Sequence, residues 1–294
     1  GIENYIMWME PRIREMWRVL KPTGSLYLHC DWHANAHLRI LLDKIFGESN
    51  FRNEIIWAYS TSGRPKNRFP SKHDTIYYYG KTKKTFFNAK EIKVPYTEKY
   101  IQTHFPYVDE KGRRYRKRFD AGKWRIYYAD EGMIPNDVWE IPYVNSMSPE
   151  RLGYPTQKPA ALLERIIKAS SKPNDIVLDP FCGCGTALVA AQKLGRRWIG
   201  IDISPTACKL MQRRLRKEFE VNVQVIRGEA DINYVKKLPP FEFQNWVVVD
   251  KFLGTVSPRK TGDFGIDGFT PQVTGGYPIQ VKQSEDIGRN VVDN

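Results

Sequence analysis

One short stretch does most to limit what this chain can fold into. Residues 175–178 read as a buried strand, Asp179-Pro180-Phe181-Cys182-Gly183-Cys184-Gly185-Thr186 as a glycine-rich turn, and the residues from there to Leu194 as a helix. A second strand over 197–201 then delivers Asp202, 23 residues beyond Asp179. Strand, glycine turn, helix and an acid at the next strand end make up the nucleotide-type α/β arrangement, in which that acid grips ribose hydroxyls. Glycine lacks Cβ, so Gly183 and Gly185 permit positive φ and a close approach of backbone to a ligand. A nicotinamide dinucleotide is excluded, because the third glycine of G-x-G-x-x-G would fall at Leu188. The lysine of a phosphate-binding P-loop is missing as well. The turn therefore predicts a ligand that carries adenosine without a phosphate chain, with Asp179 placed for a cationic amino group.

The flanking sequence keeps an α/β rhythm. Ile2, Ile6, Met9, Ile13, Met16 and Leu20 form one apolar helical stripe, which Pro11 should kink or restart. Lys21-Pro22-Thr23-Gly24 stops it. Strands are expected at 25–30, 54–59 and 75–79, with a helix over 34–46 that Gly47 closes. A helix over 160–171 precedes the glycine turn. Ser204 as N-cap and Pro205 behind it open a helix to Phe219, and 223–226 reads as one more strand. Alternating strands and helices predict a helix-covered sheet.

Residues 81–125 depart from that rhythm. They hold fourteen Lys or Arg against five acids, +9 of the chain's net +13, with nine aromatic residues interleaved. Their hydrophobic period is poor, which predicts a loop-rich insert spanning 81–150. Basic and aromatic residues together suit phosphate neutralisation and base stacking better than a plain solvated face. Arg113, Arg114, Arg116, Lys117 and Arg118 are the densest candidates. The four cysteines are too sparse for a disulfide scaffold and suggest a reducing cytoplasm. No run approaches the roughly 18 apolar residues that a spanning helix needs.

The residues of the turn also carry a resemblance. Asp179 to Thr186 resembles the S-adenosylmethionine motif of amino-group DNA methyltransferases. Tyr154-Pro155-Thr156-Gln157-Lys158-Pro159 and the helix after it resemble the segment preceding that motif in the circularly permuted β group. In that group the catalytic half comes first, then target recognition, then the cofactor half, and the order here agrees over about residues 1–235. The resemblance implies a Rossmann-like methyltransferase domain, at 1–238, that transfers methyl from S-adenosylmethionine to the exocyclic amine of adenine, or less often cytosine, in double-stranded DNA. It implies that Asp179, Phe181, Gly183, Gly185 and Thr186 line the methionine end of the cofactor. Asp202 would hold the ribose, and Gln157, Lys158 and Pro159 would close over the ligand. Glu229 and Asp231 both remain candidates for the cofactor's adenine. The family's Asp/Asn/Ser-Pro-Pro-aromatic loop has no match, the nearest being Leu238-Pro239-Pro240-Phe241, so the chain by itself is expected not to methylate.

Beyond the boundary at Leu238, Gly262 to Gly268 and then Gln280-Val281-Lys282 resemble the Mrr-like branch of PD-(D/E)xK nucleases. The resemblance implies a partial α/β nuclease domain at 239–294, in which Asp267 and Gln280 share a divalent metal such as Mg²⁺ and Lys282 orients water. The whole would then be a restriction-modification protein. Other groupings point to packing. His29, His33 and His37 straddle a strand end and a helix start, too scattered for a zinc site. Cys182 and Cys184 suit small apolar filling, and Lys209, Arg213, Arg214, Arg216 and Lys217 suit a solvated helix face. A non-catalytic nucleic-acid-binding protein is the rival of a different class, and would show DNA affinity without S-adenosylmethionine affinity. The oligomeric state stays open, a homodimer included.

Overall fold

The computed structural model describes residues 1–60, 65–145, 147–154 and 156–226, with 244, 248, 255–256, 268–269 and 278–279 beyond them. The chain divides into two compact units, Gly1–Tyr143 with Arg165–Lys172, and Val144–Glu164 with Pro173–Asn294.

In the first unit α1 (Ile2–Val19) runs unbroken past Pro11. The expected restart does not occur, since proline removes one donor and Pro11 lies on the exposed side, away from buried Met9, Ile13 and Met16. Strand β1 (Ser25–Cys30) and α2 (Asn35–Phe46) follow, and Gly47 closes α2 at φ 85°. Next come β2 (Phe51–Ala58) and β3 (His73–Gly80). With the later β7 (Val138–Glu140), they form a four-stranded sheet in the order β1-β3-β2-β7. The β1–β3 and β2–β3 pairs are antiparallel, and β2–β7 is parallel. Leu28, Tyr77 and Tyr79 of this sheet pack with Met9 and Ile13 of α1 and with Leu38, Leu41, Leu42 and Phe46 of α2. This is the buried stripe that the spacing of three and four foretold.

The basic insert holds regular structure. Helix α3 (Glu98–His104) is capped by the Thr97 hydroxyl, and β4 (Tyr107–Val108), β5 (Arg114–Asp120) and β6 (Lys123–Tyr128) form an antiparallel sheet. Most of the other described residues of the insert form neither helix nor strand, so it is loop-rich around this small sheet. In β5 the rings Tyr115 and Phe119 share one face with Lys117, while Arg114, Arg116, Arg118 and Asp120 take the other, so Lys117 interrupts the apolar alternation that marks a half-buried strand.

Helix α4 (Ala160–Ser170) has its first turn, to Glu164, in the second unit and the rest in the first, and the second unit continues with β8 (Ile176–Asp179), α5 (Thr186–Lys193), β9 (Arg197–Gly200) and α6 (Pro205–Phe219). β8 and β9 pair in parallel, Asp179 opposite Gly200. Leu188 and Val189 of α5 pack with Met211 and Leu215 of α6 and with Cys182. Residues 223–226 form no strand, and Ile226 is exposed. Farther on, β10 (Thr255–Val256), β11 (Gly268–Phe269) and β12 (Pro278–Ile279) make a short antiparallel sheet. The expected boundary at Leu238 lies outside the described residues, as do Glu229, Asp231, Asp267, Gln280 and Lys282.

Candidate functional site

The glycine turn is held from both sides by the two acids. Asp179 ends β8, and its Oδ1 accepts the Phe181 N–H at 3.1 Å. Asp202 lies just past β9. Its Oδ2 accepts the Gly183 N–H at 2.7 Å and its Oδ1 the Ser204 N–H at 2.9 Å. Backbone bonds from Ile201 N to Asp179 O and from Cys182 N to Ile201 O tie the same strand ends together. A carboxylate oxygen accepts about two hydrogen bonds, so each oxygen of Asp202 keeps capacity for a hydroxyl.

Gly183 and Gly185 adopt φ of +48° and +76°, as the sequence required. What fills the space was not legible. A Cβ on Gly185 would lie 2.5 Å from Met211 Cγ, and one on Gly183 would lie 3.0 Å from Tyr154 Cε1. Protein side chains, rather than a ligand alone, use the vacated room. Ser204 caps α6 as expected, its hydroxyl accepting the Ala207 N–H at 3.3 Å.

A cleft opens over the turn, lined by Gln157, Lys158, Asp179, Phe181, Gly183 and Thr186 together with Tyr154, Thr156, Leu163, Cys182, Cys184 and Ala187. Six of the predicted residues therefore meet in one place. Gly185, Asp202 and Pro159 do not line it. Gly185 packs on Met211, Asp202 holds the Gly183 N–H at the end of the turn, and buried Pro159 starts α4 by accepting the Leu162 N–H. Gln157 is also more of a brace than a lid. Its amide donates to Glu150 O and accepts from Leu152 N, and Glu150 in turn accepts the Ala160 N–H at the start of α4. Tyr154 belongs to the 154–159 motif but was given no role of its own, and Leu163 of α4 is a lining residue that was not named from the sequence.

Electrostatics in the cleft centre on Asp179. Burial pushes the Asp179 carboxyl above its ordinary value, with Asp202 adding to the rise, while the Phe181 N–H and Lys158 oppose it. A buried acid held up in this way gains by receiving a positive charge. Burial raises the Cys182 and Cys184 thiols as well, and raises Cys30 to about 12. None of these three supplies a thiolate at neutral pH, which suits the filling role expected of Cys182 and Cys184. Arg214 corrects the expectation for α6. It is buried, bonded to Glu218 at 2.9 Å, with its guanidinium against the Thr186 hydroxyl at 3.5 Å, and so leaves the solvated face.

In the first unit a cleft of about 610 Å³ is lined by Gly1, Ile2, Tyr5, His29, Cys30, Asp31, His33 and Ala34. His29 pairs with Asp74 at 3.0 Å and His33 with Asp31 at 2.9 Å, so these imidazoles have carboxylate partners. His37 is exposed, and no group of three metal-ligating side chains occurs among the described residues.

The five basic candidates of the insert are not equivalent. Arg113 pairs with Asp109 at 3.0 Å and lies 3.9 Å over the Tyr128 ring. Arg116 is partly buried, 4.8 Å over Phe105 and bonded to the Tyr100 hydroxyl, a packing position. Arg114, Lys117 and Arg118 are exposed. No helix among the described residues is long and apolar enough to cross a membrane.

The site is thus a parallel strand pair whose glycine turn is braced by two acids, with a buried carboxyl, Asp179, at the strand end. The family model described as DNA methylase, covering N6 and N4 methyltransferases, matches residues 1–213. Type II methyltransferase M.HpaI of Haemophilus parainfluenzae is 34% identical over 221 residues, 74% of this chain and 62% of that protein. DNA adenine methyltransferase YhdJ of Escherichia coli is 34% identical over 213 residues, 72% of this chain and 67% of that protein. The solved structure of TTHA0409 from Thermus thermophilus, complexed with S-adenosyl-L-methionine, aligns at a TM-score of 0.50 and 22% identity, covering 78% of this chain and 84% of that one. That likeness is one of fold, a mixed α/β sheet. The chain belongs to the N6/N4 DNA methylase family. It spans about three fifths of the length of M.HpaI.

Proposed function

We propose that this chain carries the cofactor-binding and DNA-contacting parts of an S-adenosylmethionine-dependent methyltransferase that acts on the exocyclic amine of adenine in double-stranded DNA. The alternative target is the N4 amine of cytosine. The single observation that carries the reading is the glycine turn braced between Asp179 and Asp202. Likeness to the DNA adenine methyltransferase YhdJ supports DNA as substrate and adenine as target. The Type II relatives support a place in restriction-modification. In that setting residues 239–294 would belong to an Mrr-like nuclease domain, with Asp267 and Gln280 on Mg²⁺ and Lys282 beside them.

The residues present fit the cofactor. Its ammonium would meet Asp179, its ribose hydroxyls the spare lone pairs of Asp202, and its methionine end the Phe181–Thr186 wall. When bound, S-adenosylmethionine supplies an electrophilic methyl group. Asp179 and Asp202 orient it, and Phe181, exposed at the cleft, covers it from water. Titration calorimetry with S-adenosylhomocysteine tests the reading, and absence of binding would overturn it.

The raised Asp179 carboxyl adds a pH signature. An ammonium binds the ionised form, so affinity is full well above the folded-state value and falls as acid protonates the group. Because that value lies above the ordinary 3.8, the loss begins at milder acid than for an exposed aspartate. Asp179→Asn should bind weakly and flatten the profile. A wild-type affinity that is level through the whole mildly acidic range would remove Asp179 from the ammonium site.

DNA binding should weaken steeply with salt. Neutralising Arg114, Lys117 and Arg118 together should lower the slope of log K against log salt by about 0.9 for each phosphate no longer neutralised. Arg113→Ala and Arg116→Ala should instead show chiefly as lower melting temperature. An unchanged slope for the triple variant would make the exposed basic residues a solvated face only.

A further inference from the structure

The tip of the β5–β6 hairpin carries two large aromatic rings in water. Phe119 and Trp124 sit directly opposite each other, 61% and 69% exposed, with ring centroids 5.6 Å apart and nearly perpendicular. The two turn residues between the strands, Ala121 and Gly122, have φ of +48° and +79°. Two positive values in a two-residue loop match the twist of the strands, so the tip is a tight turn that keeps the strands paired up to Asp120 and Lys123. Apolar rings of this size are seldom left in water at a tip without a partner. The next rung, on the other face of the hairpin, carries Arg118 directly opposite Arg125. Like charges at facing positions destabilise a bare sheet, and an anion between or beside them removes that cost. Rings on one face and paired cations on the other call for a partner that has both π-faces and phosphates.

We propose that this tip is a base-stacking wedge, with Phe119 and Trp124 stacking on bases of the bound DNA while Arg118 and Arg125 hold the flanking phosphates. The inference rests on the DNA reading above and adds to it the element that touches bases. Stacking releases no counterions, whereas phosphate contacts do, and the two roles separate in salt dependence. Alanine substitution of a stacked ring weakens binding by roughly 5- to 150-fold per base.

The test uses fluorescence anisotropy of the full chain on a mixed-sequence DNA duplex and, separately, on heparin, a polyanion without bases. Trp124→Ala and the double variant Phe119→Ala/Trp124→Ala should weaken duplex binding about tenfold or more at every salt concentration, with an unchanged slope and unchanged heparin binding. Trp124→Phe should restore most of the affinity, and Arg118→Ala should lower the slope. Duplex affinity equal to the parent's in the double variant would overturn the wedge while leaving the DNA reading intact. So would an equal loss on heparin, which would show that the rings only support the basic face. A parent chain that binds no duplex would overturn the DNA reading and the wedge with it.

Discussion

Asp202→Ala should weaken S-adenosylhomocysteine binding at least about tenfold, and it should do so by two routes that can be told apart. The first is direct. A charge-assisted hydrogen bond to a ribose hydroxyl contributes about 1.5–3 kcal/mol, and about 1.4 kcal/mol corresponds to tenfold. The second runs through the turn. Asp202 accepts the Gly183 and Ser204 N–H groups at 2.7 and 2.9 Å, and removing the carboxylate leaves both donors without it. Each unsatisfied donor costs about 1–3 kcal/mol if water does not replace the acceptor. The turn route lowers the melting temperature of the free protein, and the direct route does not. Asp202→Asn keeps one acceptor oxygen and loses the charge, so it should recover part of the stability but little of the affinity. Calorimetry and thermal denaturation on the same three proteins make the separation. Equal affinity in Asp202→Ala and the parent would remove Asp202 from the ligand site.

The parts of the site legible in the sequence are those fixed by local chemistry. Ser204 with Pro205 marked the start of α6, and the spacing of Asp179 and Asp202 about two glycines marked the turn, because caps and left-handed positions depend on a few neighbouring residues. Illegible were the choices made by packing across the chain. Nothing local says that Met211 fills the space beside Gly185, or that Arg214 turns inward to Glu218 and Thr186. A run of Lys and Arg on a helix reads as solvated by default, and only tertiary contacts single out the one that is buried. The strand expected at 223–226 fails for a related reason. A strand is stabilised by its neighbour's hydrogen bonds more than by its own residues, and these four find none among the described strands. The β5–β6 sheet was missed because its pattern is interrupted. With arginines along one face of β5 and Lys117 set between Tyr115 and Phe119 on the other, no continuous apolar face marks the period.

Gly185→Val should be the most damaging single substitution in the glycine turn. Two costs add. At φ +76° a non-glycine residue pays about 1–2 kcal/mol, more when β-branched. Its Cβ would also stand 2.5 Å from Met211 Cγ and 3.1 Å from Met211 Sδ, in a cluster with buried Leu188 and Leu215. Overpacking of that kind costs about 1–3 kcal/mol. The sum is about 2–5 kcal/mol, enough to lower the melting temperature by about 5–15 °C and to disorder the turn that Asp179 and Asp202 brace. Gly195 isolates the first cost. It has φ +69° and nothing within 4 Å of its added Cβ, so Gly195→Val carries the backbone strain without the collision. The difference between the two variants measures what Met211 contributes. If the collision is real, Met211→Ala in the Gly185→Val background should cost less than it does in the parent, because the shortened side chain yields the space that valine takes. Additive effects, or equal melting temperatures for Gly185→Val and Gly195→Val, would mean that Met211 swings aside freely. Gly185 would then be required for its backbone angle alone.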